Sequence, residues 1–202
     1  MNVLIFGDSI TWGAYDPEQG GWATRLRNYF ESEDSPPCYR EAGDVLIYNL
    51  GISGDTTVDL LNRIEVEAKS RKPNLIIFAI GINDAQFIHS TNGLRVSLDE
   101  FQQNLAKLLA IAKKFTNKII FIGLTRVNES KTNPIPWKTD KSYTNENIAR
   151  LDNAIEKFCE NNKLKFVPMD NVLQNEDLFD GLHPNAEGHT KIFERMKSEI
   201  KF

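Results

Sequence analysis

Two reactive side chains near opposite ends of the chain have the types needed for nucleophilic catalysis. Ser9 lies in a Gly-Asp-Ser run directly after a short apolar segment. His183 follows Asp180 by three residues, so one ring nitrogen can bind the carboxylate while the other faces a serine hydroxyl. Because a serine hydroxyl is a weak nucleophile until a base takes its proton, these residues predict acyl transfer with Ser9 as nucleophile, His183 as base and Asp180 behind the base.

Three hydrogen-bond donors are candidates to stabilise the oxyanion that forms when a serine attacks a carbonyl. They are the backbone N–H of Ser9, the backbone N–H of Gly51 and the side-chain amide of Asn83. Gly51 allows close backbone approach because it has no side chain, and Asn83 donates without adding charge. We therefore expect an oxyanion hole made of these three residues.

Other polar residues at these positions have simpler interpretations. Ser53 is a rival nucleophile, but its surroundings do not match the Gly-x-Ser-x-Gly elbow, so we expect it to help cap the next helix. Asp8 is expected to accept hydrogen bonds that shape its turn, and Asp84 to cap a helix. No third ligand at metal spacing accompanies Asp180 and His183, which disfavours a metal site.

The chain has three histidines, of which two are weaker candidates for the base. His89 lacks a close, ordered carboxylate partner, and His189 falls inside the last predicted helix. This leaves His183, which the following Pro184 biases toward an extended conformation.

Five short apolar runs rich in valine, isoleucine and phenylalanine predict strands buried on both faces. They are Val3–Phe6, Val45–Leu50, Leu75–Ile80, Ile119–Leu124 and Leu164–Met169. Between and after them, apolar residues recur at helical spacing. These stripes are Trp22, Leu26 and Phe30; Val58, Leu61 and Ile64; Leu98, Phe101, Leu105, Leu108, Ala112 and Phe115; Ile148, Leu151, Ile155 and Phe158; and Ile192, Phe193, Met196 and Ile200.

The alternation of strands and helices predicts an α/β fold with a parallel sheet covered by helices on both faces. For five strands, the flavodoxin-like order 2-1-3-4-5 is the natural arrangement. The second and third strands then flank the first, so Ser9 would lie at the switch point, between Gly51 and Asn83. We expect a single domain over residues 1–202, with one long irregular stretch from Arg126 to Tyr143 that is either a functional lip or mobile.

Four sequence blocks, in order along the chain, resemble those of the SGNH (GDSL-type) hydrolases. They are Gly7-Asp8-Ser9, Gly51 in Asn-Leu-Gly, Gly81-x-Asn83-Asp84 and Asp180-x-x-His183. The resemblance spans nearly the whole chain and implies that Ser9 is the nucleophile, with Asp180 and His183 as its partners and Ser9, Gly51 and Asn83 as oxyanion donors. It also implies a three-layer α/β/α sandwich that hydrolyses small esters without a metal or organic cofactor.

Three aromatic residues are candidates for contact with a substrate. Trp12 lies in an Ile-Thr-Trp-Gly run that resembles the esterase-like branch of the family. Trp137 and Tyr143 lie in the long stretch, where they either line an acyl pocket or pin the loop. No lid helix or large apolar loop is evident, so short acyl chains are expected.

Several alternative functions stay open. A carbohydrate O-deacetylase would present the same acetyl carbonyl to Ser9, and lysophospholipase or acyl-thioesterase activity belongs to the same family. From a different class, a non-catalytic flavodoxin-like module would bind a flavin or accept a phosphoryl group on Asp8, because a fold does not determine a function. No Gly-x-Gly-x-x-Gly or Walker run supports that last alternative.

The composition excludes some partners. With 41% hydrophobic and 26% charged residues, the chain is typical of a globular protein. A net charge of −4 without a basic run disfavours nucleic acid, and no apolar run is long enough for membrane insertion. Cys38 and Cys159 are not clustered and predict free thiols rather than a disulfide. No signal peptide is evident, so a cytoplasmic location is expected.

Overall fold

The computed structural model describes residues 1–32 and 45–200. Its strands are β1 (Asn2–Gly7), β2 (Leu46–Gly51), β3 (Leu75–Ala79), β4 (Phe87–Ile88), β5 (Gly93–Leu94), β6 (Ile119–Ile122), β7 (Lys141–Ser142) and β8 (Lys165–Val167). A five-stranded sheet has the order β2-β1-β3-β6-β8, and all its pairings are parallel. A second sheet has the order β5-β4-β7 and is antiparallel.

The five strands of the large sheet correspond to the five predicted strands, with boundaries shifted by a few residues. Three short strands were not predicted, so the predicted fourth and fifth strands are β6 and β8 in the observed numbering. β1 pairs with β2 and β3, which places Gly7 beside Gly51 on one side and Ala79 on the other. The carboxyl ends of these three strands therefore meet at the predicted switch point.

The helices surround the large sheet. They are α1 (Ser9–Trp12), α2 (Gly21–Glu31), α3 (Thr57–Leu61), α4 (Ile64–Arg71), α5 (Leu98–Ala112), α6 (Glu129–Thr132), α7 (Asn145–Asn162) and α8 (Ala186–Glu199). Two 3₁₀ turns lie at His89–Thr91 and Asn175–Asp177.

Two apolar cores lie on opposite faces of the sheet, because side chains alternate along each strand. Leu4 and Phe6 pack with residues of α3, α4, α5 and α7. Val3 and Ile5 pack with residues of α2 and α8. The predicted three-layer α/β/α arrangement is confirmed.

One predicted helix is divided in two. The stripe of Val58, Leu61 and Ile64 predicts a single helix, but α3 ends at Leu61 and α4 begins at Ile64. At the junction, the Arg63 N–H donates to the Leu60 carbonyl oxygen at 3.1 Å. This i to i+3 bond tightens the last turn and interrupts the α-helical pattern.

The stretch from Arg126 to Tyr143 is not irregular throughout, which corrects the prediction. It contains α6 and β7, and an isolated bridge joins Ile135 to Lys138. β7 pairs with β4, so this segment is tied to the turn that follows β3. Elements of two to four residues are too short to show a period in sequence.

Two further predictions concern the cysteines and the membrane. Cys159 is buried with a free thiol, while Cys38 lies outside the described residues. Within residues 1–32 and 45–200, the structure has no helix with the length and apolar character needed to cross a bilayer.

Candidate active site

Three side chains that are distant in sequence form a hydrogen-bonded chain at the edge of the sheet. Ser9 Oγ lies 2.8 Å from His183 Nε2, although the two residues are 174 positions apart. His183 Nδ1 lies 2.8 Å from Asp180 Oδ2. The structure thus brings together the three residues that sequence spacing predicts as nucleophile, base and carboxylate, with the two imidazole nitrogens occupied on opposite sides.

Ser9 is positioned by the turn from β1 into α1. Asp8 caps this helix, with its Oδ1 accepting from the Ile10 N–H at 2.9 Å. Ser9 is the first residue of α1, so its N–H has no partner inside the helix. The hydroxyl and the N–H of Ser9 are therefore both presented at the end of the central strand.

Asp180 holds both the side chain and the backbone of His183. Its Oδ1 accepts from the N–H groups of Leu182 at 3.0 Å and His183 at 2.9 Å, while Oδ2 faces the ring. Burial raises the pKa of Asp180, but these hydrogen bonds and the nearby imidazole outweigh it and hold the pKa at about 2. A carboxylate that stays charged at neutral pH can stabilise an imidazolium.

Asn83 is fixed by contacts on both ends of its amide. Gly81, with a φ of 132°, turns the chain after β3, a conformation that L side chains rarely adopt. The Asn83 Nδ2 donates to the Asp55 carbonyl oxygen at 3.0 Å, and Oδ1 accepts from the Tyr143 hydroxyl at 2.9 Å. Because an amide nitrogen carries two hydrogens, one remains for a ligand in the pocket that Asn83 and Ser9 both line.

Tyr143 is itself oriented by a further amide. The Gln86 Nε2 donates to the Tyr143 hydroxyl at 2.8 Å, so the phenolic hydrogen points to Asn83. Tyr143 is 3% exposed. Burial raises the pKa of this phenol, so it stays protonated and remains a donor.

Gly51 lies directly against the backbone of α1. A Cβ at this position would collide with the Trp12 nitrogen and the Asp8 carbonyl oxygen, so only glycine fits. Its N–H donates to Asn49 Oδ1 at 3.0 Å, a contact that the spacing of residues in the sequence does not reveal. As an oxyanion donor, Gly51 would have to share or exchange this bond when a substrate binds.

The competing residues take no part in the hydrogen-bonded chain of Ser9, His183 and Asp180. Ser53 is exposed in the pocket wall, and Thr56, not Ser53, caps α3, so its predicted capping role is wrong. His89 contacts the Ser142 hydroxyl at 2.7 Å. His189 is fully buried, and its Nε2 lies 2.9 Å from the Ala14 carbonyl oxygen.

The two other acidic residues of the motifs have structural contacts. Asp84 is fully buried and accepts from the Thr57 N–H at 3.1 Å, so it supports the start of α3 from a distant part of the chain, while Thr56 is the N-cap residue. Burial raises the pKa of Asp84 to about 6. Burial raises the pKa of Asp8 more strongly, to about 7, although the hydrogen bond from the Ile10 N–H lowers it.

Exposed aromatic rings surround the mouth of the pocket of Ser9, which has a volume of about 410 Å³. Trp12 is 58% exposed and lines this pocket. Tyr15 also lines it, tilts over the His183 ring and stacks on Phe179 with ring centroids 4.2 Å apart. Trp137 lines an adjoining cavity, and Tyr143 lines both spaces.

Comparisons with known proteins identify the family. The model of the GDSL-like lipase/acylhydrolase family matches residues 5–191. An isoamyl acetate-hydrolyzing esterase from Saccharomyces cerevisiae is 30% identical over 210 residues, covering 94% of this chain and 81% of the yeast protein. An acetylxylan esterase from Geobacillus stearothermophilus is 26% identical over 208 residues, covering 99% of this chain and 94% of that protein.

The fold has close counterparts among solved structures. A catalytic mutant of an acetylxylan esterase from Geobacillus stearothermophilus superimposes with a TM-score of 0.75 at 22% identity, covering 100% of this chain and 94% of the other. Arylesterase and esterase are further names among the relatives in sequence. The chain therefore belongs to the GDSL-like lipase/acylhydrolase family and is an ester hydrolase.

Proposed function

We propose that this protein hydrolyses esters of short acyl groups through an acyl-enzyme on Ser9. The observation that carries the proposal is the chain of contacts from Ser9 Oγ through the two nitrogens of His183 to Asp180, each link 2.8 Å long. A nucleophile, a base and an orienting carboxylate in this geometry are the requirements for acyl transfer.

In the first half of the reaction, Ser9 Oγ attacks the ester carbonyl carbon and His183 Nε2 takes the hydroxyl proton. The carbonyl oxygen becomes an oxyanion, which accepts hydrogen bonds from the Ser9 N–H and the free hydrogen of Asn83 Nδ2. The intermediate then collapses, the bond to the alcohol oxygen breaks, and that oxygen takes the proton from Nε2.

In the second half, water attacks the acyl group on Ser9 while His183 Nε2 takes a proton from the water. Collapse of the second intermediate releases the carboxylic acid and returns the proton to Ser9 Oγ. Throughout, the Nδ1 hydrogen of His183 points to Asp180 Oδ2, which holds the ring in the required tautomer.

Two observations support a short acyl group. The relatives most similar in sequence include proteins named for isoamyl acetate and acetylxylan, which are both acetyl esters. Among the described residues that line the pocket of Ser9, the helical ones belong to the four-residue α1, so no long apolar helix contributes to its wall.

A second candidate, the removal of acetyl groups from carbohydrates, is favoured by the aromatic mouth. Trp12 and Tyr15 expose 58% and 46% of their surfaces beside the nucleophile. Flat exposed rings suit the apolar faces of sugar rings as well as an alkyl or aryl alcohol. If the protein were instead a lysophospholipase or acyl-thioesterase, substrates with acyl chains longer than octanoyl would be the better ones.

The proposal is tested with Ser9→Ala and 4-nitrophenyl acetate. The expected result is a loss of at least about 10³-fold in kcat, together with loss of labelling by an organophosphonate. Ser53→Ala is the matched control, because this serine lines the same pocket without contacting His183, and its activity should resemble wild type. Equal activity in Ser9→Ala and wild type would show that Ser9 is not the nucleophile.

The acyl group is tested by measuring kcat/KM from acetyl to dodecanoyl 4-nitrophenyl esters, together with acetylated xylo-oligosaccharides. A maximum at acetyl to butanoyl supports the proposal. A value that climbs beyond octanoyl would favour the lysophospholipase or thioesterase alternative, and a preference for the acetylated sugars would favour the deacetylase.

A further inference from the structure

A second cavity adjoins the pocket of the nucleophile. It has a volume of about 230 Å³, and its wall includes Asn83, Tyr143 and His183. The same three residues line the pocket of Ser9, so the two spaces meet beside the candidate oxyanion donor. An ester whose carbonyl lies at Ser9 can therefore extend one end into the second cavity.

The wall of this second cavity is strongly basic. Four cationic side chains line it, those of Arg95, Lys131, Lys138 and Lys141; we call this space the cationic cavity. Among the described residues that line it, the one carboxylate is that of Asp180, which His183 engages. Since the chain as a whole carries a net charge of −4, the positive patch is a local feature.

The lysines of the cationic cavity have no carboxylate partners in the described parts of the chain. Ion pairs of lysines in residues 1–32 and 45–200 involve Lys114, Lys165, Lys191 and Lys197. Arg95 reaches Asp59 at 3.6 Å, a long contact for an ion pair. Lysine ammonium groups that line one space without ion-pair partners attract an anion into it.

The like charges of this cavity also affect the pKa of one of its lysines. Burial lowers the pKa of the Lys141 ammonium, and the like charges of Lys138 and Arg95 lower it further, while the carboxylate of Asp140 raises it by a smaller amount. A bound anion would relieve this repulsion, because an opposite charge nearby favours the charged form of an ammonium.

Secondary structure fixes the backbone from which three of these cationic side chains extend. β4 pairs with both β5 and β7, and this register sets Lys141 opposite Ile88. The Arg95 N–H donates to the Gln86 carbonyl oxygen at 2.7 Å, and the bridge between Ile135 and Lys138 closes the loop before β7. The small sheet thus builds one wall of the cavity from segments that are far apart in sequence.

The same wall contains an unsatisfied polar atom. Gln86 is 5% exposed and lines the cationic cavity. Its Oε1 has no hydrogen-bond partner among the described residues, while its Nε2 donates to Tyr143. Buried acceptors are normally paired. A charged carboxylate has no hydrogen to donate, so a donor elsewhere on the substrate, such as a hydroxyl or an amide N–H, would pair with this oxygen.

We propose that the substrate carries a negatively charged group, a carboxylate or a phosphate, that binds in the cationic cavity while its ester carbonyl lies at Ser9. This inference rests on the proposed function and names the class of ester that the site selects. Arg95 can bind either oxyacid through two parallel hydrogen bonds, and the lysines supply further charge.

The test compares charged esters with neutral esters of the same shape. The first pair has the charge on the alcohol and compares 4-acetoxybenzoate with the neutral 4-acetoxybenzamide. The second pair has the charge on the acyl group and compares the 4-nitrophenyl half-ester of adipic acid with the neutral 4-nitrophenyl adipamate. In at least one pair, kcat/KM should be about tenfold or more higher for the anion and should fall as salt is raised. Comparing 4-acetoxybenzoate with 4-acetoxyphenyl phosphate then distinguishes carboxylate from phosphate.

A double variant links the preference to the cavity. Lys138→Met with Lys141→Met should reduce the ratio of kcat/KM, anion over neutral ester, about tenfold. The matched control is Lys107→Met with Lys157→Met, which removes the same charge from exposed positions on α5 and α7 and should leave the ratio unchanged. If the cavity variant does not fold, competitive inhibition of wild type by adipate, weakened by salt, provides the second measurement.

The outcomes separate this inference from the proposed function. A preference for the neutral ester in both pairs, or a ratio that both double variants change equally, would overturn the anionic substrate while leaving Ser9 as nucleophile. Full activity of Ser9→Ala toward all these esters would overturn the proposed function itself.

Discussion

The hydroxyl of Tyr143 donates to Oδ1 of Asn83 at 2.9 Å across 60 positions of sequence. Together with the bond from Asn83 Nδ2 to the Asp55 carbonyl oxygen, this bond determines which end of the Asn83 amide is available to an oxyanion at Ser9, because an amide can otherwise rotate to present its oxygen. An oxygen in that place would repel an oxyanion, whereas the nitrogen donates to it. Tyr143 is therefore a positioning residue for the candidate oxyanion hole.

Tyr143→Phe should lower kcat about two- to twelvefold, since one neutral hydrogen bond contributes roughly 0.5–1.5 kcal/mol, and should change KM little. Asn83→Ala should cost about 10²–10³-fold in kcat through loss of an oxyanion donor. Steady-state kinetics with 4-nitrophenyl acetate measures both.

A double-mutant cycle distinguishes positioning from a general structural effect. If Tyr143 acts through Asn83, adding Tyr143→Phe to Asn83→Ala should cause no further loss of kcat. Additive losses would mean that Tyr143 acts independently of the amide, and the free energy of unfolding of each variant provides the control.

Sequence patterns predicted most of the fold because buried parallel strands and amphipathic helices have periods that a single sequence displays. They also placed Ser9, Gly51 and Asn83 at one edge, since each follows a predicted strand. The contact between Tyr143 and Asn83 was not predictable in this way, because it depends on β4 and β7, which have two residues each. The hydrogen bond between Asn49 and Gly51 is also not predictable, because a side-chain to backbone bond within a strand leaves no pattern in the spacing of residue types.

Gly51→Ala should reduce stability and activity far more than the addition of one methyl group would suggest. The added methyl would collide with the backbone of Trp12 and Asp8, so α1 and the Ser9 hydroxyl must shift. The expected result is a loss of about 1–3 kcal/mol in the free energy of unfolding and a large fall in kcat. Gly93→Ala is the control, because a Cβ there meets nothing closer than 3.9 Å; equal effects of the two substitutions would contradict this account.

Asp180→Asn should remove activity while leaving the fold largely intact. An asparagine keeps an acceptor for the backbone N–H groups of Leu182 and His183, but it can no longer stabilise an imidazolium or hold its tautomer. By analogy with other serine hydrolases, kcat should fall by about 10³–10⁴-fold. Asp170→Asn on the exposed surface is the matched control, and an Asp180→Asn variant with activity close to wild type would show that the carboxylate is dispensable.

Asp8→Asn should stabilise the protein at neutral and alkaline pH. Burial raises the pKa of Asp8 from 3.8 to about 7, so the folded state keeps a proton between these values that the unfolded state has released. The contribution of protonated Asp8 to the stability of wild type is complete below pH 3.8 and is lost as the pH rises through about 7. Asparagine caps a helix about as well as aspartate and carries no charge to bury.

Urea denaturation of both proteins from pH 4 to pH 9 measures this difference. The advantage of Asp8→Asn in the free energy of unfolding should be smallest near pH 4, grow as the pH rises, and level off above pH 7 at no more than about 4 kcal/mol. A constant difference across this range would mean that Asp8 does not change its protonation on folding. A difference that shrinks with pH would mean that its folded pKa lies below the unfolded one, as expected of a carboxylate stabilised by its bond from Ile10 rather than destabilised by burial.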